Sequence, residues 1–578
     1  MPTAESRIRA HLRFLYGEVT GEATWTQLKS RLDHFVATQP RFDEKKQAYH
    51  LTQKDVMLIT YGDQVHTSGQ PPLKTLGYFL RSHLDGLVSD VHILPFFPFS
   101  TDDGFSVIDY LAVNPQFGTW DDIESLERDF KLMFDGVINH ISRESEWFQG
   151  FLRGDERYKD YFIQVDPDTD LSEVFRPRAL PLLTPVETSL GKRYVWTTFS
   201  EDQIDLNYAN PEVLLNIIDV VLFYVAHQAS FLRLDAIAFL WKIIGTSCLH
   251  LPQTHAAIKL LRAILDVVAP YVVLITETNV PHKENISYFG DDGDEAQLVY
   301  NFALPPLVLH SFQTGDARAI TGWASDLGLP SNRVTLFNFL ASHDGIGITP
   351  ARGILTQEEL DAMVNRVQVH QGLISYRNMP DGSQVPYELN INYFDALSDP
   401  AGDEPLAIQV ERFVTAHAIM MAMIGVPGIY FHSLFGSLGW VEGVSKTGMK
   451  RTINRQKLDL KDIENELAEP NSRRTVVLRR LKSLLKVRTT HAAFDPYQPQ
   501  QVLDLNPAIF TILRGQSESD QVICLHNVSG ETQTAHFDLS NIGKQSAVDM
   551  LSGRIITGEH ITVIMEPYET VWLDLRQA

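Results

Sequence analysis

Eight short apolar runs, set apart by helical or polar chain, constrain this sequence more than any other feature. They are VMLITY (56–61), DVHILPF (90–96), KLMFDGVIN (131–139), ASFLRLDAI (229–237), VVLITET (272–278), QLVYNF (297–302), LFNFLASHD (336–344) and GIYFH (428–432). Near-continuous apolar runs suit strands buried on both faces. The helices between them, such as 211–227 and 253–268, predict parallel strands in βα units. Eight such units predict an α/β fold, a (β/α)8 TIM barrel.

The rest of the chain is assigned around that barrel. Residues 1–50 read as an N-terminal helical extension of two short amphipathic helices, with Leu12, Phe14 and Leu15 on one apolar face and Leu28, Leu32 and Phe35 on another. The barrel takes 51–140 and 206–490, with an inserted domain B at 141–205 and a long loop insertion at about 345–400. The first insertion carries RPRALPLLTP, whose prolines argue against a simple helix, and the second carries the turn-rich SYRNMPDGSQVPYELNINY. Both follow the C-terminal ends of candidate strands, where barrel enzymes build their sites. Beyond residue 490, FTILRG, QVICLHNV, QTAHFDL, ITVIMEPY and ETVWLDL lack intervening helices, which predicts a C-terminal antiparallel β domain at 491–578.

Composition removes several classes of partner. The 578-residue chain sets 49 Lys+Arg against 72 Asp+Glu, a net charge of −23, which argues against a nucleic-acid or anionic-membrane surface. Two cysteines, Cys248 and Cys524, make neither a disulfide framework nor a zinc site. The most lipid-like stretch, 416–431, is broken by His417, Gly425, Pro427 and Gly428 and reads as a buried helix followed by a buried strand. The first residues hold no continuous apolar core of a secretory signal, so a cytoplasmic location is expected. No motif separates a monomer from a homodimer. Nothing has the pattern of a phosphate-cradling glycine loop or a metal cluster, so no cofactor and no metal are expected.

Polar residues at four strand ends carry the chemistry. In FLRLDAIAF, Arg233 and Asp235 are two apart and share one side of a strand. Charge in so apolar a run must meet a polar cavity or a buried partner, and a structural ion pair satisfies the pattern as well as a catalytic one. Glu277 ends the next run, His343 and Asp344 end NFLASHD, and Asp135, Asn139 and His140 end DGVINH. Four such clusters on one barrel converge on one mouth and predict a catalytic site. Three carboxylates (Asp235, Glu277, Asp344), two histidines and an arginine suit glycosyl transfer, in which one carboxylic acid protonates the leaving oxygen and another carboxylate meets the anomeric carbon. Asp235, held ionised by Arg233, is the expected nucleophile. Glu277 is the expected acid/base through burial near anionic neighbours.

These segments resemble the four motif regions of the α-amylase superfamily, glycoside hydrolase family 13, in the family's order: DGVINH, FLRLDAIAF, ITETN and FLASHD. The resemblance implies Asp235 as nucleophile, Glu277 as general acid/base and Asp344 as transition-state stabiliser, with Arg233, His140 and His343 in support. ITYGDQ, HILPFFPFSTDDGFSVIDY, RPRALPLLTP, TTFSEDQIDLNY and RTINRQK narrow it to the sucrose phosphorylase branch. That branch implies Asp102 and Arg455 for the terminal glucose, and Arg178 and Tyr387 for inorganic phosphate as co-substrate. At Glu388 the sequence departs from the glutamine usual in sucrose phosphorylases. With SYRNMPDGSQVPYELN, LPPLVLHSF, ITETNVPHKENI and the N-terminal extension, it is most similar to the glucosylglycerate phosphorylases. The expected substrates are therefore a small-molecule glucoside, phosphate and D-glycerate, with Arg178 (joined by Arg176 or Arg377) as a shared anion subsite and Glu388 accepting glycerate hydroxyls. Sucrose phosphorylase and a phosphate-independent α-glucosidase or transglucosidase are the alternative expectations.

Overall fold

The structure is a computed structural model describing residues 3–39, 48, 50–379, 382–517, 520–538 and 546–575. Eight parallel strands close into a barrel: β1 (Met57–Thr60), β2 (Asp90–Ile93), β3 (Lys131–Gly136), β4 (Ala229–Leu234), β5 (Val273–Thr276), β6 (Leu298–Tyr300), β7 (Thr335–Asn338) and β8 (Val426–Tyr430), with β8 pairing β1. Each of the eight apolar runs supplies one of these strands. They read as continuous apolar runs because β1, β2, β5, β6, β7 and β8 are buried at every position. The lipid-like stretch spans the end of a buried helix (Leu406–Ala422) and β8, and no described helix is long and apolar enough to cross a membrane.

At the N-terminus α1 runs Ala4–Thr38 and is interrupted at Gly17, whose φ of 77° leaves the helical region. The chain doubles back there: a Cβ on Gly21 would meet the carbonyl oxygen of Leu12 at 2.8 Å, so only glycine permits this approach. The apolar face differs from the sequence reading at one position. Ile8 and Leu12 are buried, whereas Phe14 is 55 % exposed, because the facing residues follow a spacing of four rather than two. Arg7 pairs with Asp266 at 2.6 Å, and the Tyr16 hydroxyl donates to the Tyr208 carbonyl at 2.9 Å, which seats the segment on the outer helices of the barrel.

The chain between β3 and β4 contains an antiparallel hairpin (Leu183–Thr188 with Gly191–Trp196) and a short pair (His140–Ser142 with Gln203–Asp205). After β7, the turn-rich insertion contains an antiparallel pair, Leu373–Asn378 with Gln384–Asn390, that carries Tyr387 and Glu388 into the barrel mouth. The polar composition of SYRN and the Pro386 in QVPYELN hid these strands from the sequence. Past the helix Arg473–Thr490 come a six-stranded antiparallel sheet and a separate two-stranded one. Arg514, buried, donates to the Ala422 carbonyl, and Thr415 and Thr570 share a 2.9 Å hydrogen bond, so this β layer is pinned to the helix preceding β8.

Candidate active site

The C-terminal ends of the strands open into a cavity of about 710 Å³. Asp235, Glu277, Asp344, Asp102, His140, His343, Arg178 and Tyr387 all line it. Arg233, Arg455 and Glu388 stand behind that wall, almost fully buried, and hold the lining groups in place.

The floor is organised by one guanidinium. Arg233 on β4 lies in register with Asp135 on β3 and Ile275 on β5, and its Nη1 contacts Asp135 and donates to Asp235 at 2.8 Å. Its Nη2 lies 4.0 Å from Glu277. Phe105 and Tyr300 flank the guanidinium at 5.6 and 5.5 Å, so an arginine stripped of water gains two aromatic faces. The other oxygen of Asp135 meets His92 Nε2 at 2.6 Å. Asp135 and His92 received no role from the sequence, although DGVINH places Asp135 at a strand end, one ladder step from Arg233.

Asp235 follows β4 directly, and the next residue, Ala236, has φ of 50°, a left-handed turn that a small side chain tolerates best. The Ala236 N–H then donates to Glu277 at 3.1 Å. Burial lifts the Asp235 carboxyl above the ordinary carboxylate range; Arg233, which the sequence reading expected to dominate, only pulls it partly back. Burial also pushes the Glu277 carboxyl up to about 7, with Arg233 opposing and the charges of Asp235 and Asp344 adding. Arg233 is nearer Asp235 than Glu277, so its charge favours ionising Asp235 first.

Asp344 is set apart by cations. Burial alone would raise it, but Arg451 in direct contact and Arg455 at 3.6 Å hold it well below the usual carboxylate range. Arg451 is a functional-site residue that the sequence reading missed. It begins the RTINR run, four positions before Arg455, and that spacing was the available signal. Arg455 Nη1 donates to Asp102 at 3.2 Å and its Nε to the His343 carbonyl at 2.9 Å. Asp102 and Asp103 both have φ of 52°. Gly104 completes the turn: a Cβ there would meet the Pro95 carbonyl at 2.6 Å, which explains glycine in TDDGF.

His140 Nε2 donates to the Phe105 carbonyl at 2.9 Å, leaving Nδ1 to accept from Asn139 at 3.3 Å. Asn139 in turn accepts from the buried Lys242 at 2.9 Å and donates to Asp205 at 3.1 Å, so a buried ammonium ties the inserted segment to the barrel. His343 stacks on Phe105 with ring centroids 4.6 Å apart.

The mouth is built from loops. Arg178 sits 6.0 Å from both the Phe199 and Tyr387 rings and 3.8 Å from Glu388. Burial pushes the Tyr387 hydroxyl up to about 12. Glu388 accepts from the Gly345 N–H at 2.7 Å and pairs with Arg451 at 3.1 Å, so its oxygens face protein donors rather than the cavity that the sequence reading aimed them at. Arg176 donates to the Leu180 carbonyl and Arg377 packs on Phe175 at 5.0 Å; neither lines the cavity beside Arg178.

Paired carboxylates one residue beyond β4 and β5, a third beyond β7 and an arginine between them define a glycoside-active barrel of the α-amylase type. Residues 82–344 match the family described as alpha amylase, catalytic domain. A glucosylglycerate phosphorylase of Allomeiothermus silvanus is 49 % identical over 573 residues, covering 99 % of each chain. A sucrose phosphorylase of Agrobacterium vitis is 31 % identical and covers 77 % of this chain and 89 % of its own. The crystal structure of a sucrose 6F-phosphate phosphorylase from Thermoanaerobacter thermosaccharolyticum superposes with a TM-score of 0.73 over 90 % of this chain and 99 % of its own, at 24 % identity. Within the α-amylase class, this chain belongs to the glucosylglycerate phosphorylase family.

Proposed function

We propose that the protein is a retaining phosphorylase that interconverts 2-O-α-D-glucosyl-D-glycerate and phosphate with α-D-glucose 1-phosphate and D-glycerate. The observation that carries this reading is the split between Asp235 and Glu277 around Arg233. Burial raises both carboxyls, but Arg233 lies closer to Asp235, at 2.8 Å against 4.0 Å, and favours its ionised form, while Glu277, pushed up to about 7, keeps a substantial protonated fraction near neutral pH.

Asp235 attacks the anomeric carbon while Glu277 gives its proton to the departing glycerate oxygen, forming a β-glucosyl ester on Asp235. Asp344, ionised by its arginines, stabilises the positive charge that develops on the sugar. Asp102 and His343, which line the cavity, meet the glucose hydroxyls; Arg455 behind the wall holds Asp102, and His140, with both ring nitrogens bonded to protein, shapes the wall beside them. Glycerate then leaves, and phosphate takes the same place beside Arg178 and Tyr387. It attacks the ester carbon with Glu277 now as base, and α-D-glucose 1-phosphate departs with net retention. The anionic acceptors alternate, so one cationic mouth serves both. The relatives' names and the cations at the mouth support glycerate over fructose as the acceptor.

The test is to incubate the protein with phosphate and, separately, glucosylglycerate, sucrose, glucosylglycerol or sucrose 6-phosphate, and to assay glucose 1-phosphate. Glucosylglycerate is expected to be the best donor. Release from sucrose but not from glucosylglycerate would replace the acceptor assignment, and free glucose without phosphate consumption would remove the phosphorylase class.

A further inference from the structure

The cavity is lined by three side chains with permanent positive charge, and they differ in what they already hold. Arg451 is spent on two carboxylates, touching Asp344 and pairing with Glu388 at 3.1 Å. Arg178 is shared between two aromatic rings and Glu388 at 3.8 Å. Lys450 has no carboxylate partner among the described residues. Its ammonium donates once, to the Ile374 carbonyl at 2.7 Å, and stands 6.0 Å from the Tyr376 ring. Lys450 is exposed, so the other two of its ammonium's three donors are open to solvent and to any anion in the cavity that it lines.

That single bond sets the ammonium against the hairpin. Ile374 belongs to the strand Leu373–Asn378, which pairs with the strand bearing Tyr387 and Glu388. Lys450 thus joins the segment of Arg451 and Arg455 to the hairpin that closes the mouth. Ser375 and Tyr376 line the cavity beside it. Lys450 and Arg178 thus line one cavity from two different loops.

We propose that Lys450 is a specificity-determining residue of the acceptor subsite: it reads the carboxylate of the acceptor and, in the other half-reaction, a phosphate oxygen. This rests on the phosphorylase reading above and deepens it, by making anion recognition a property of two loops rather than of Arg178 alone. In a chain of net charge −23 general attraction of small anions is absent, and a cation without a carboxylate partner among the described residues is the group available to bind one.

The experiment uses the full-length protein in the synthetic direction, with α-D-glucose 1-phosphate as donor and either D-glycerate or the neutral glycerol as acceptor. For Lys450→Met, the preference for D-glycerate over glycerol in kcat/KM is expected to fall about tenfold, mostly through KM for glycerate, as loss of a charge-assisted contact implies. Lys450→Arg keeps the charge and is expected to restore most of that preference. Equal losses with both acceptors would mean that Lys450 only holds the hairpin, and an unchanged preference would mean that it does not touch the acceptor; either result overturns the proposal. The wild-type protein in the same assay separates the two readings. No phosphate release with glycerate sinks the proposed function, whereas a normal wild-type rate with an unchanged Lys450→Met preference sinks only the role of Lys450.

Discussion

The floor of the cavity and its mouth solve the same problem of buried charge in different ways. At the floor, Arg233, Asp135, Asp235 and Glu277 stand on adjacent strands or one residue beyond them, so the barrel ladder sets their spacing. At the mouth, Arg178, Tyr387, Glu388 and Lys450 come from three separate insertions, and side-chain contacts set their spacing. A site on strands is rigid and suited to a conserved chemical step. A site on loops can exchange one acceptor for another, which a ping-pong reaction with two anions requires. Changes at the floor should therefore abolish turnover whatever the acceptor, and changes at the mouth should alter which acceptor is used.

The largest effect is expected for Asp235→Asn, which keeps the shape beside Arg233 but removes the nucleophile. Formation of glucose 1-phosphate should fall by at least ~10⁴-fold, with a soluble, folded product by circular dichroism. Turnover near wild type would show that the floor does not form the covalent ester.

Next comes Glu277→Gln, with a loss of about 10³-fold for a poor leaving group such as glycerate. The pH dependence adds a sign. Glu277 must be protonated to release glycerate, and burial places it at about 7, so phosphorolysis should decline as pH rises through that value. An activated leaving group such as p-nitrophenol needs no proton, so its release should lack that limb. A limb that persists with p-nitrophenyl α-glucoside would assign it to another group.

The same contrast governs what could be read from the chain. Strands of a parallel barrel are apolar throughout, so a charged residue inside one is conspicuous: Arg233 in FLRLDAI and Asp135 in LMFDGV break an otherwise aliphatic run. The eight strands and the strand-end carboxylates Asp235, Glu277 and Asp344 were legible for that reason. At the mouth the surroundings are already polar, so Arg451 and Lys450 looked like any surface cation, and the strands Leu373–Asn378 and Gln384–Asn390 looked like loop. Asp135 was visible but its partner was not, because the pairing with Arg233 spans 98 positions and belongs to sheet register rather than to spacing. The direction of the Glu388 side chain was likewise unavailable. Only the fold brings the Gly345 N–H and Arg451 to it.

At the mouth, Arg178→Ala removes a cation but leaves the floor untouched. KM for phosphate should rise about tenfold, while kcat at saturating phosphate changes less. A fall in kcat with unchanged KM would move Arg178 from the anion subsite to the chemical step, and the separation of floor from mouth would fail there.

The smallest effect is expected for Glu388→Gln, because the amide oxygen can still accept from the Gly345 N–H while only the charge is lost. The carboxylate now draws on both Arg451, at 3.1 Å, and Arg178, at 3.8 Å. Without it, Arg178 is freer to hold an anion, and Arg451 turns its remaining charge wholly to Asp344. Two consequences follow from one substitution: KM for phosphate should drop by roughly two- to threefold, a small change because the Arg178 contact that is released is long, at 3.8 Å. Transfer to D-glycerate should change in the same direction, since glycerate meets the same cations. Should Glu388 instead hydrogen-bond the glycerate hydroxyls directly, glycerate use would weaken while phosphate use improved. Measuring both KM values on one variant therefore decides whether this buried carboxylate tunes the mouth through its arginines or touches the acceptor itself.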